Sequence, residues 1–193
     1  KRTDEALMLR FLEGDVKAFE TLFLRYSNLK NYVRFRINSP DTAEDIVQKV
    51  WLNIVKRKEH YQPSAKFKTF LYVAVDNQIK DFYRSETRNQ SRRDYDEDLE
   101  TQPATTIPGT RSIDVEYLGR ECLDHLKSCI GQLPENQRQC LLLKFEGEFG
   151  LQEISETIGK KLDTVKSRLR YARDKLGRCM PTECLDSIGW EVT

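Results

Sequence analysis

Residues 85–112, SETRNQSRRDYDEDLETQPATTIPGTRS, divide this chain. The stretch has almost no aliphatic side chains, carries two prolines and sets opposite charge blocks side by side. A segment with so little to bury cannot offset the entropy lost on ordering it, so it reads as a flexible linker. The remainder of a chain of 193 residues is then expected to form two small units, residues 1–84 and 113–178, with 179–193 as a short tail.

In both units the apolar residues recur at helical spacing. Phe19, Leu22, Phe23 and Tyr26 mark one helix and Val47, Val50, Trp51 and Ile54 another, and about four helices are expected before residue 84. Val115, Leu118, Cys122, Leu126 and Ile130 restart the pattern after the linker, and LPENQRQCLLLKF opens a further helix with Pro134 near its first turn. Nothing alternates with the two-residue period of a strand, so the fold class is all-α, in two helical domains. No apolar run approaches the roughly 20 residues of a membrane span, and neither a membrane segment nor a secretory leader is expected. The five cysteines, Cys122, Cys129, Cys140, Cys179 and Cys184, are odd in number and are expected as reduced thiols of a cytoplasmic protein. Cys179, Cys184 and Cys140 lack the two-residue cysteine spacing of metal sites, so no metal and no cofactor is expected. His60 and His125 stand alone and no nucleophile has an evident base, so the chain does not read as an enzyme.

A net charge of +1 argues against nucleic acid only on average. Residues 1–84 hold 16 basic against 11 acidic side chains, and residues 159–178 hold eight against two. In the second of these patches Leu151, Ile154 and Ile158 form one apolar stripe and Leu162, Val165, Leu169 and Leu176 another. Gly159 stands between them, where a helix end needs positive φ. That is the layout of a helix-turn-helix. Its second helix projects Lys166, Ser167, Arg170, Tyr171 and Arg173, a mix of cations and hydroxyls suited to phosphates and base edges. A basic helix packed on an acidic neighbour is the alternative. In residues 59–84, Tyr61, Phe67, Phe70, Tyr72, Phe82 and Tyr83 interleave with Lys66, Lys68, Lys80 and Arg84, as in proteins that stack unpaired bases and hold their phosphates. Phe67, Phe70, Leu71 and Ala74 also have the spacing of a core face.

The run LPENQRQCLLLKFEGEFGLQEISETIGKKLDTVKSRLRYARDKL resembles region 4 of bacterial extracytoplasmic-function (ECF) sigma factors. Leu133, Pro134, Arg138, Ile154, Gly159, Thr164, Val165, Lys166, Ser167, Arg168, Leu169, Ala172 and Arg173 carry the match. Residues 4–84 resemble sigma region 2 of the same family through DEALMLRFLEGDVKAFETLFLRY, AEDIVQ and FKTFLYVAVDN. The resemblance implies a sigma factor that binds promoter DNA and core RNA polymerase. Lys166, Ser167, Arg168, Arg170 and Arg173 would then meet the −35 element. Tyr61 and Asn77 would line a pocket for a flipped −10 base, with Lys66, Lys68, Lys80 and Arg84 beside it. Lys161 departs from the family pattern at its usual turn proline, and Tyr171, Val73 and Asp76 stand where arginine is frequent.

The same resemblance makes the stretch PDTAEDIVQKVW a docking helix for the β′ coiled coil of polymerase, while region 4 meets the β flap. A helical wheel turns Asp45, Gln48, Lys49 and Leu52 outward, and an exposed leucine among polar groups suits a docking face. The family's acidic tetrad reads Thr42, Ala43, Glu44, Asp45 here, and its Gln-Glu pair reads Gln48, Lys49. Thr42 is either an N-terminal cap, with Asp45 three residues on, or a phosphorylation site that restores the missing negative charge. One ECF group lacking these acids is associated with Ser/Thr protein kinases, so a kinase is an implied partner, as is an anti-sigma factor. The rival reading is a sigma-like decoy that sequesters an anti-sigma factor without recruiting polymerase.

Overall fold

A computed structural model describes residues 2–37, 39–61, 63, 66–93 and 115–187. The first unit is built from α1 (Asp4–Leu12), α2 (Val16–Arg25), α3 (Leu29–Ile37), α4 (Pro40–Lys56), a 3-10 turn (Lys58–His60) and α5 (Phe67–Arg93). The second holds α6 (Val115–Gly131), α7 (Glu135–Phe145), α8 (Leu151–Ile158), α9 (Leu162–Cys179) and α10 (Thr182–Ser187). Among the described residues there is no strand.

Five α-helices rather than four precede the linker, because the periodic stretch near the start is cut between α1 and α2. Asp15 makes the cut, its carboxylate accepting the Ala18 N–H at 3.2 Å to cap α2. The fifth helix does not stop at Arg84 but continues to Arg93, and the rest of the expected linker lies outside the described residues. Gly159 ends α8 with φ 62, the left-handed conformation the sequence called for, and so sets the tight turn into α9.

Met8, Leu22, Leu29, Tyr32, Val50, Phe67, Leu71 and Ile79 close the first core, and Cys140, Leu143, Ile154, Val165, Ala172 and Leu176 the second. Burying each large apolar side chain contributes about 1.5–3 kcal/mol, which is how a highly charged chain of short helices holds together.

Four of the five cysteines are not reduced thiols: Cys122 is bonded to Cys184 and Cys129 to Cys179, leaving Cys140 alone as a buried thiol. The expectation failed because the partners lie 62 and 50 residues apart in sequence, where spacing rules are silent. Cys122 and Cys129 fall two turns apart on one face of α6, and the end of α9 with α10 runs back along that face.

The two units pack together, α3 and α5 against α7 and α8. Phe149, 1% exposed, sits edge-on to Tyr72 with ring centroids 4.9 Å apart and under the Lys68 ammonium at 4.4 Å. The turn that delivers it is tight. A Cβ on Gly147 would lie 2.8 Å from the Phe149 ring, and Glu148 adopts φ 51, a conformation only glycine takes without strain. Beside it Arg36, 4% exposed, donates from Nη1 to Asp76 at 2.7 Å and from Nε to Glu135 at 2.8 Å. Gln139 of α7 donates to the same Asp76 oxygen at 2.8 Å. The aspartate that departs from the family's arginine is therefore a structural anchor between the units.

Candidate nucleic-acid and polymerase interface

Three surfaces gather the residues singled out by sequence. On α4, Ala43, Ile46, Val50, Trp51 and Ile54 face the core, so Asp45, Gln48, Lys49 and Leu52 are left exposed. Leu52 is 54% exposed, and it shares a shallow apolar groove with Phe19, Phe23, Val47, Trp51 and Val55. Phe23, one of the residues whose spacing marks its helix, is 47% exposed. Helical spacing groups residues onto a stripe without saying how wide the buried part of that stripe is.

Thr42 is not the helix cap. The helix begins at Pro40 with Ser39 as N-cap, and the Thr42 hydroxyl lies 2.9 Å from that of Ser39. Pro40 takes the first helical position, where no N–H donor is missed, and thereby moves the helix start ahead of Thr42. Glu44 of the tetrad is paired with Lys30 at 2.5 Å.

Tyr61 and Asn77 line one cavity of about 470 Å³. Its walls come from Met8, Val50, Ile54, Phe70 and Ala74, and its polar rim from Asn53, Arg57, Asn77 and Gln78. Phe70 is 39% exposed there, at the cavity rather than in the core, while Phe67 and Leu71 are fully buried. Tyr61 stands edge-on to Phe70 at 5.5 Å, and its hydroxyl is buried without a hydrogen-bond partner. Burial, followed by the nearby Glu5 and Asp4 charges, raises the pKa of that phenol. Asn53, Arg57 and Gln78 were not legible in sequence, since α4 and α5 bring them together across the fold.

The cations expected beside this cavity are already engaged. Lys66 pairs with Glu153 of α8 at 2.6 Å, and Lys68 donates to the Glu148 carbonyl at 3.1 Å. Lys80 pairs with Asp76 at 2.6 Å and Arg84 with Asp81 at 3.2 Å. On α9, Lys166, Arg170, Tyr171 and Arg173 are exposed, with the Arg170 guanidinium 5.1 Å from the Tyr171 ring centre. Ser167 donates its hydroxyl to the Thr164 carbonyl at 3.0 Å. Arg168 points the other way. It falls one turn from Val165 and Ala172 on the packed side and lines the cleft between the units with Arg36 and Asp76.

Among the described residues no three histidine, cysteine or acidic side chains are placed to hold a metal, and no helix is long and apolar enough to cross a membrane. Residues 22–89 match a family model for sigma-70 region 2, and residues 123–176 one for sigma-70 region 4. The chain is 29% identical over 180 residues to the ECF RNA polymerase sigma-E factor of Haemophilus influenzae, covering 90% of this chain and 93% of the relative. It is 28% identical over 186 residues to the sigma-H factor of Pseudomonas aeruginosa, covering 92% and 93%. Among solved structures it resembles the sigma factor RpoE in complex with the anti-sigma factor NepR from Bartonella quintana, at TM-score 0.67 and 20% identity over 84% of this chain and 96% of that one. CnrH in complex with the cytosolic domain of CnrY gives a TM-score of 0.64 at 21% identity, over 91% and 95%. The chain belongs to the sigma-70 family of RNA polymerase sigma factors, as one of its extracytoplasmic-function members.

Proposed function

We propose that this sigma factor docks on the β′ coiled coil of core polymerase through the outer face of α4, captures an unpaired −10 base in the Tyr61–Asn77 cavity, and reads the −35 duplex with α9. A sigma factor is a non-enzymatic initiation factor that directs polymerase to its promoters, so the work of each surface is recognition. The carrying observation is that Tyr61 and Asn77, distant in sequence, share one cavity with aromatic walls and amide edges. A flipped base needs stacking faces and hydrogen-bonding groups for its edge, and the unpartnered Tyr61 hydroxyl is a group of that kind. Base discrimination then falls to Tyr61, Asn77 and the rim residues Asn53, Arg57 and Gln78. On α9 the exposed Lys166, Arg170 and Arg173 suit phosphates and major-groove edges, which favours a DNA reader over a decoy.

Tyr61→Phe separates this role from plain packing. An unsatisfied buried hydroxyl costs the fold about 1–3 kcal/mol, so thermal stability is expected to hold or rise. Transcription from the cognate promoter by the reconstituted holoenzyme is expected to fall roughly tenfold, as about 1.4 kcal/mol of base recognition is lost. Undiminished transcription would remove the hydroxyl from promoter recognition.

Docking is proposed to be weak in the unmodified chain and strengthened by a Ser/Thr kinase acting at Thr42. Lys49 faces a basic coiled coil with the wrong charge, and a phosphate in the first turn of α4 lies where the helix dipole favours anions. Each exposed rim charge contributes about 0.5–1 kcal/mol, so Lys49→Glu together with Thr42→Glu should tighten core polymerase binding roughly tenfold. Equal binding of the parent, Lys49→Glu, Thr42→Glu and Thr42→Ala chains would discard the gate. An anti-sigma partner and a contact between region 4 and the β flap belong to the same proposal.

A further inference from the structure

We propose that the bridges Cys129–Cys179 and Cys122–Cys184 form a thiol-exchange site whose oxidation state sets how well α9 binds duplex DNA, an inference that rests on the reading of α9 as the DNA helix. The pairing is nested and orderly. Going back along α6 from Cys129 to Cys122 matches going forward from Cys179, the last residue of α9, to Cys184 on α10. The two bridges make a single antiparallel seam, and Cys140, buried on α7, takes no part in it.

What the seam joins gives it consequence. The first ten residues of α9 present Lys166, Arg170 and Tyr171, while its last residue is tied covalently to α6, and α6 also packs on α9 and on α3. Helix α10 has six residues, far too few to persist alone, and is anchored through the buried Cys184. Opening both bridges releases α10 and leaves the cysteine-bearing face of α6 without its covalent partner, so the support that orients α9 loosens. A helical unit this small has little stability in reserve, and cross-links closing loops of 62 and 50 residues restrict its unfolded chain strongly.

Access and compartment favour a reversible role. Cys179 is an exposed residue, whereas Cys122, Cys129 and Cys184 are buried, so exchange begins at the Cys129–Cys179 bridge. A low-molecular-weight thiol attacks one sulfur to form a mixed disulfide, and a second thiol resolves it. Per bridge, two thiols become one small disulfide while two protein sulfurs gain two electrons and two protons. The small disulfide drives the reverse step. Sigma factors work beside RNA polymerase among such thiols, where protein disulfides are more often redox-sensing than structural.

The test uses the full chain and a duplex selected from a random-sequence pool on the oxidised protein. Binding is measured across glutathione buffers from fully oxidised to fully reduced, with free thiols counted by alkylation and mass spectrometry. The thiol count is expected to rise from one to five, with duplex affinity falling at least tenfold along the same curve and recovering on reoxidation. A Cys129→Ser/Cys179→Ser chain is expected to bind weakly even in oxidising buffer, and Cys122→Ser/Cys184→Ser to retain an intermediate affinity. Equal duplex binding in both states, or five free thiols under oxidation, would overturn the switch. Failure to select any duplex would instead overturn the assignment of α9 to DNA.

Discussion

Phe149→Ala is expected to part the two halves of the chain and to raise their affinity for single-stranded DNA. Truncating a fully buried phenylalanine costs about 3–5 kcal/mol, and here much of that loss falls on the interface, because the ring is held by Tyr72 and Lys68 of the other unit. The ion pair nearby is a weaker tie. Lys66 is 68% exposed in its pair with Glu153, and exposed pairs contribute less than about 1 kcal/mol. The aromatic plug therefore outweighs that pair and shares closure with the Arg36–Glu135 and Gln139–Asp76 contacts, and removing it loosens the hold of region 4 on Lys66 and Lys68. Promoter geometry gives the reason to expect such an opening in function: elements named −10 and −35 lie about 25 base pairs apart, about 85 Å along duplex DNA. Two units in direct contact do not span that distance, so binding both elements in the proposed way would compete with this interface. Small-angle scattering should show a larger radius of gyration for Phe149→Ala, and oligo-dT should bind severalfold more tightly. Phe149→Leu, which keeps most of the buried volume, should stay close to the parent. If neither shape nor strand affinity changes, the plug does not control access.

The legible parts of this fold were those written in local period. The helices, the α8–α9 turn at Gly159 and the outward set Asp45, Gln48, Lys49 and Leu52 follow from spacing within one or two turns. What escaped was decided between segments. The Asp76 that interrupts a family pattern makes sense only once Arg36 and Gln139 are folded onto it. The disulfides required knowing that α10 folds back along α6. Arg168 matched a motif that the resemblance assigns to DNA contact, yet it stands one turn from the buried Val165 and Ala172 and lines the cleft between the units. At Thr42, Pro40 decided where the helix begins. The Tyr61–Asn77 cavity was reached only in part, because its rim draws on both α4 and α5.

Arg36→Ala is expected to be among the most damaging single changes in the first unit, at about 3–5 kcal/mol, since it strips a buried ion pair of its cation. The guanidinium serves three elements at once. It donates to Tyr32 on its own helix at 3.1 Å, to Asp76 on α5 and to Glu135 on α7. A lysine offers no planar fork, so Arg36→Lys should recover less than half of the loss. The same cluster fixes the response to acid. Burial would raise the Asp76 pKa, but hydrogen bonds from Lys80 and Arg36 outweigh it and hold the carboxyl below its ordinary value. A pKa depressed by folding contributes stability that is fully present above the unfolded value of about 3.9 and is lost as pH falls through the folded one. Asp76→Asn removes that contribution while keeping the shape, so its stability should be lower at pH 7 yet fall less steeply below pH 4. Urea unfolding at both pH values reads the difference. A loss under about 1 kcal/mol for Arg36→Ala would place the cluster among ordinary surface pairs. An acid limb unchanged by Asp76→Asn would show that other carboxylates set it.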